Sequence, residues 1–239
     1  MFTLRDYQQE ASDLAVEFFN SPLKTKPIMV EPTGSGKSVI IADIVRRLQD
    51  DVLILQPSVE LLEQNWKKYD AVVQANPELV KASIYSASFG VKERGQVTFA
   101  TIGSIYKIPE EFATIKYIIV DECHCVPPKT DSMYVEFFSN LTAKVLGLTA
   151  TPYRLKTYND PFCMGKKFSK VNLLTREIPK FFNNFLHVTQ ISQIYEQGFL
   201  APLNYIEMQF DGSFLKVNST GAEYSDDSLK EAIERNQII

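Results

Sequence analysis

The sequence predicts an α/β fold, a mostly parallel β-sheet with helices on both faces. Short runs that are apolar throughout alternate with amphipathic stretches at helical spacing, the pattern of strands buried on both sides and joined by crossover helices. One such run passes through a glycine-rich loop directly into a helix, the opening of a βαβ unit. Composition agrees: of 239 residues, 45% are hydrophobic and 23% charged, the balance of a globular chain rather than a disordered one.

The elements follow in order. Leu4, Tyr7, Ala11, Leu14, Ala15 and Phe18 recur at three- and four-residue steps and predict a first helix, closed by Asn20-Ser21-Pro22. Residues 27–30 form a buried strand, Ile40, Ile41, Ile44, Val45 and Leu48 the next helix, and 52–55 a second strand. A further helix opens at Ser58 and continues through Leu62, Trp66, Tyr69 and Val73. Strands are expected at 81–85, 97–100, 117–120 and 145–148, with a helix near 134–140 between the last two. The sequence shows neither an internal repeat nor a low-complexity tract.

Charge divides the chain. The formal net charge is −4, which argues against a whole-surface polyanion binder. All of that deficit lies in the last 35 residues, where Lys216, Lys230 and Arg235 face seven carboxylates, so 1–204 is expected to be one domain and 205–239 a linker leading into another. No apolar run nears the roughly 18 residues of a membrane span, and the N-terminus has no signal-like segment, so no membrane partner is expected. Cys123, Cys125 and Cys163 make a sparse, odd set that fits a reducing compartment, and the expected location is cytoplasmic.

The chemistry gathers in two places. The strand ending at Val30 is followed by Glu31-Pro32-Thr33-Gly34-Ser35-Gly36-Lys37-Ser38 and then a helix. Glycines let backbone N–H groups turn toward phosphates, and a helix N-terminus favours anions. Lys37 adds charge for the outer phosphates, and the Ser38 hydroxyl suits Mg²⁺. The strand at 117–120 ends in Asp121-Glu122-Cys123-His124, at the sheet edge where ligands of parallel α/β folds bind. There Asp121 is read as a Mg²⁺ ligand and Glu122 as the group that activates water. Cys123-His124-Cys125 lacks the spacing and second pair of a zinc site.

With these blocks in place, the sequence resembles superfamily 2 helicases and translocases. Pro32 to Ser38 matches their P-loop, Asp121-Glu122-Cys123-His124 their DEAH-like motif II, and Leu148-Thr149-Ala150-Thr151-Pro152 their motif III. Leu4-Arg5-Asp6-Tyr7-Gln8, Gln56 to Gln64, and Ala100 to Ile105 match the adenine-reading segment and motifs Ia and Ib. A finer resemblance to the RadD-like group, near the type I and III restriction translocases, rests on Val126-Pro127-Pro128, Tyr153-Arg154-Leu155 and Glu196 to Leu203.

The resemblance implies a RecA-like domain that uses ATP and Mg²⁺. Arg5 and Gln8 would read the adenine, while His124, Thr149 and Thr151 would couple the ATP site to nucleic acid. Pro57, Ser58, Thr101, Ile102 and Gly103 would touch nucleic acid, DNA in preference to RNA, through backbone groups. A second RecA-like domain of the same polypeptide would complete the ATP site. The rival readings are the motor part of a restriction translocase and a non-catalytic nucleotide-binding module. Residues 156–185 mix Lys156, Lys166, Lys167, Lys170 and Lys180 with Phe162, Phe168, Phe181, Phe182 and Phe185. They are read as a long loop over packed phenylalanines, in preference to a single-strand binding segment.

Overall fold

Each central strand sends alternate residues to opposite faces of the sheet, which is why these runs are apolar throughout. In the computed structural model, Val52 and Ile54 join a core cluster on one face, and Leu53 and Leu55 join a second cluster on the other. The structure describes residues 3–159, 167–201, 211–213, 215–216 and 225–235. The elements are α1 (Asp6–Asn20), β1 (Ile28–Val30), α2 (Lys37–Leu48), β2 (Val52–Gln56), α3 (Val59–Ala75), β3 (Ala82–Ser86), β4 (Val91–Lys92), β5 (Val97–Thr101), α4 (Ile102–Ile105), β6 (Tyr117–Val120), α5 (Met133–Ser139), β7 (Lys144–Thr149), β8 (Tyr153–Asn159), β9 (Lys167–Leu173), β10 (Phe185–Val188), α6 (Ile191–Glu196) and α7 (Asp226–Arg235). The chain divides into two compact units, Met1–Arg154 with Leu173–Leu200, and Leu155–Asn172 with Ala201–Ile239.

The first unit holds an eight-stranded sheet in the order β10-β1-β7-β6-β2-β5-β3-β4. Its pairings are parallel except β3 with β4. Helices α1, α2 and α3 cover one face through Ala15, Phe18, Ile40, Ile44, Leu62 and Tyr69. On the other face Ile105, Phe112, Tyr134 and Phe137 pack over Ile118, Val120 and Val145. The predicted α/β class, with a mostly parallel sheet and helices on both faces, is the observed one. Fully burying one such side chain is worth about 1.5–3 kcal/mol, so the two clusters hold the sheet between both helix layers.

Local signals set the boundaries. Ser58 caps α3 by accepting the Leu61 N–H at 3.3 Å, and Ser132 caps α5 by accepting that of Val135 at 3.3 Å. In β7 a Cβ on Gly147 would lie 2.7 Å from Phe182 Cε1 and 2.8 Å from Cys123 Sγ, so only glycine lets the segment after β6 close on the sheet.

The stretch read as a loop is more ordered than its composition suggests. It contains β9 and the start of β10, which joins the sheet edge beside β1. Phe182 is buried, and Phe181 packs on Phe138 with Lys26 Nζ 4.5 Å above its ring, while Lys170 and Lys180 are exposed. Phe162, Cys163 and Lys166 lie outside the described residues, as does the expected boundary between 204 and 205. In the second unit β8 and β9 pair as a two-stranded sheet, and α7 buries Ser228 and Ala232.

Candidate nucleotide site

Parallel pairing brings the C-terminal ends of β1, β7, β6, β2 and β5 to one edge. The loop of residues 31–36 leaves β1 there and enters α2. Gly34 and Gly36 have φ of +86° and +87°, a conformation that side-chain-bearing residues rarely adopt. A Cβ on Gly36 would also stand 2.6 Å from Gln8 Nε2. The Ser35 carbonyl accepts hydrogen bonds from Gln8 Nε2 at 2.7 Å and the Tyr7 hydroxyl at 2.9 Å, so the first turn of α1 clamps the loop from outside. Gln8 Oε1 accepts the Arg5 N–H at 3.0 Å, and the Arg5 guanidinium lies 3.9 Å over the Phe199 ring. The structure thus places Gln8 against the loop backbone and Arg5 on an aromatic face. Phe199 lies far along the chain from Arg5, and residue spacing alone does not bring the two together.

Lys37, the first residue of α2, reaches across β7 to the end of β6. Its Nζ donates to Glu122 Oε1 at 2.6 Å and lies 3.9 Å from Asp121 Oδ1. Glu122 has a φ of +46°, a left-handed backbone that costs a non-glycine residue about 1–2 kcal/mol. The cost is borne where this side chain meets Lys37 and His124. The bond to His124, and then Lys37, hold the Glu122 carboxyl down at about 2 despite partial burial. In turn Cys125 and then Glu122 raise His124 to about 9. Asp121 is buried, and that burial raises its pKa. Its Oδ1 accepts the Glu122 N–H at 2.9 Å, and its Oδ2 accepts from Gln56 and Asn65.

His124 Nδ1 lies 2.8 Å from Thr149 Oγ1 and 3.3 Å from Glu122 Oε2. Thr149 Oγ1 also accepts the Thr151 N–H at 3.0 Å, so these residues form one chain from β6 to the end of β7. Arg154 braces it by donating to the carbonyls of His124 and Val126 and pairing with Glu177 at 3.3 Å. Pro57 and the N-cap Ser58 lead into α3, and Thr101 and Ile102 lie at the start of α4, one strand away through the pairing of Gln56 with Thr101. The side chains of Thr101 and Ile102 are buried, while Gly103 is exposed with open space above it. Only backbone is therefore presented at that turn.

The residues fit a phosphate chain and a hard cation. A cleft of about 360 Å³ is lined by Thr33, Gly34, Lys37, Ser38, Asp121 and Glu122 among others. Left-handed glycines free its wall of side chains, and the hydroxyl and carboxylate oxygens are the donors Mg²⁺ prefers. Cys123 is buried and Cys125 exposed, and among the described residues no group of three His, Cys, Asp or Glu is placed to hold a metal. Among the same residues no helix is long and apolar enough to cross a membrane.

Fold and site together define a RecA-like P-loop lobe. The chain belongs to the family described as type III restriction enzyme, res subunit, which it matches over residues 1–154. It is 29% identical over 152 residues to the DNA 3′-5′ translocase XPB2 of Sulfurisphaera tokodaii, a match covering 63% of this chain and 31% of that protein. It is 34% identical over 155 residues to Rad25 of Haloarcula marismortui, covering 63% and 23%. The chain thus spans less than a third of the first relative and about a quarter of the second. The ATP-dependent type ISP restriction-modification enzyme LlaBIII, in a structure bound to DNA, shares the fold at a TM-score of 0.57 and 18% identity, over 82% of this chain and 16% of that one.

Proposed function

We propose that the chain is the ATP-binding half of a superfamily 2 DNA-dependent ATPase, in which ATP hydrolysis drives DNA translocation or unwinding. The observation that carries this reading is the approach of Lys37 to Glu122 and Asp121 across three neighbouring parallel strands. A module that only binds nucleotide has no use for an ionised carboxylate held beside the phosphate lysine. Arriving phosphates draw Lys37 away from Glu122, and the freed carboxylate, kept ionised, takes the proton of the attacking water. Ser38 and Asp121 would hold Mg²⁺, which would neutralise phosphate charge when bound. Thr33, Gly34, Ser35 and Gly36 wrap the phosphates, while Arg5 and Gln8 stand on the side assigned to the adenine.

In this reading Pro57, Ser58, Thr101, Ile102 and Gly103 offer backbone to a DNA strand, and His124, Thr149 and Thr151 relay the state of the ATP site. Residues 1–204 form the ATP-binding domain, and 205–239 lead to a second RecA-like domain of the same polypeptide that supplies arginine. An arginine finger is worth about 10³–10⁵ in rate in related phosphoryl transfers, so the lobe alone binds ATP·Mg²⁺ and turns it over slowly. The match to the res subunit family favours a restriction motor as the second reading. The deciding experiment measures ATP hydrolysis by the complete polypeptide with single-stranded, double-stranded and forked DNA, beside Glu122→Gln. DNA-stimulated hydrolysis lost in Glu122→Gln supports the proposal; hydrolysis unchanged by Glu122→Gln would remove it.

A further inference from the structure

The two oxygens of Asp121 are treated differently. Oδ2 accepts Gln56 Nε2 at 3.0 Å and Asn65 Nδ2 at 3.0 Å, and Asn65 Nδ2 also reaches Gln56 Oε1 at 3.1 Å. Among the described residues Oδ1 accepts just the Glu122 N–H, with Lys37 Nζ 3.9 Å away. A carboxylate oxygen offers about two lone-pair sites, so the amides fill Oδ2 while Oδ1 keeps one site open. Asn65 also lines the cleft that holds Lys37, Ser38 and Glu122.

The three partners come from separate elements. Gln56 ends β2, one strand from β6, and is 0% exposed; Asp121 at the end of β6 is 2% exposed. Asn65 projects from α3, seven residues past the Ser58 cap. Each donor is directional, whereas the Lys37 ammonium at 3.9 Å acts as a point charge and cannot set the carboxylate's rotation.

We propose that Gln56 and Asn65 are positioning residues that turn Oδ1 of Asp121 toward the divalent cation and so set the Mg²⁺ affinity of the site. The inference rests on the ATP·Mg²⁺ reading above. Partners that orient a metal-ligating carboxylate are worth about 10–100-fold in metal affinity.

The test titrates MgCl₂ into this chain with a fluorescent ATP analogue, comparing wild type with Asn65→Leu and Gln56→Leu. Asn65→Leu removes both donors while keeping the branching and heavy-atom count of the side chain, on a half-buried helix face. The expected result is a Mg²⁺ midpoint raised about tenfold or more, with analogue binding in EDTA unchanged. A thermal melt without nucleotide reports folding separately, and Asn65→Leu stands as the deciding variant where Gln56→Leu fails to fold. A packing role alone would weaken binding equally with and without Mg²⁺, and that outcome overturns the inference, as does an unchanged midpoint. Wild-type protein that binds no analogue at any Mg²⁺ concentration instead overturns the ATP reading itself.

Discussion

Glu31 offers the sharpest test of the electrostatics under the loop. It follows β1 directly, is 0% exposed, and accepts a hydrogen bond from the Thr189 hydroxyl at 2.9 Å through Oε1. Among the described residues neither its Oε2 nor the buried Ser35 Oγ beside it has a partner in hydrogen-bond geometry, although the two groups stand close enough to interact. Burial raises its pKa from 4.5 to about 7, against the opposing bond of Thr189, the nearby Ser35 hydroxyl and the charge of Lys37. Because the folded-state value lies above the unfolded one, the associated stability is complete below pH 4.5 and is lost as pH rises through about 7. At about 1.4 kcal/mol for each pH unit, the ionised form costs the fold about 3 kcal/mol above pH 7. Glu31→Gln keeps the acceptor for Thr189, replaces the unpaired oxygen with a donor that can meet Ser35 Oγ, and never ionises. Its stability relative to wild type should climb between pH 4.5 and 7 and then level off. Urea unfolding of both proteins at pH 5, 6, 7 and 8 measures this. A difference flat across that range, or a wild type more stable at pH 8, would show that Glu31 is not buried as an acid.

Three other perturbations have defined outcomes. Lys37→Ala removes a charge-assisted hydrogen bond of about 1.5–3 kcal/mol, so nucleotide affinity should fall about 10–100-fold in a fluorescence titration. For the Glu122–His124 pair, the Glu122 contribution disappears as pH falls from 4.5 through about 2, and that of His124 as pH rises from 6.5 through about 9. Melting temperatures between pH 5 and 9.5 should therefore decline on the alkaline side in wild type and flatten in His124→Gln. Gly147→Ala forces a methyl against Phe182 and Cys123, and denaturant unfolding should show a loss of about 1–3 kcal/mol.

What could be read from the sequence was local. β1, β2, β5, β6 and β7 are short runs apolar on both faces, and each predicted position lies within a residue or so of the observed strand. The loop of residues 31–36 is legible because strand, glycines and helix follow one another without a gap. Glu122 was legible as an acid after a strand, but its left-handed backbone was not, since nothing in its residue type announces it. The partners that fix the site come from far along the chain: Gln56 and Asn65 meet Asp121 over 65 and 56 residues, and Thr189 meets Glu31 over 158. Periodicity carries no record of such meetings. The edge strand β10 was hidden because Phe185-Leu186-His187-Val188 sits in an aromatic, basic stretch and gains its strand character only by pairing with β1.

Under the proposed ATPase function, the same long-range contacts would let the site respond to a phosphate without rebuilding itself. Lys37 and His124 each hold one oxygen of Glu122, Oε1 and Oε2 respectively. On that reading a phosphate that took Lys37 would release only Oε1, while His124 would keep the carboxylate oriented through Oε2. His124 is itself tied to Thr149, and the Arg154 guanidinium grips its carbonyl, so the ring has little freedom to follow the departing lysine. The swap changes the charge around Glu122 and leaves its position set by the end of β7. A neutral glutamine in place of His124 would leave that oxygen with a weaker hold, and Glu122 would follow Lys37 rather than stay with the water that the proposed mechanism has it deprotonate.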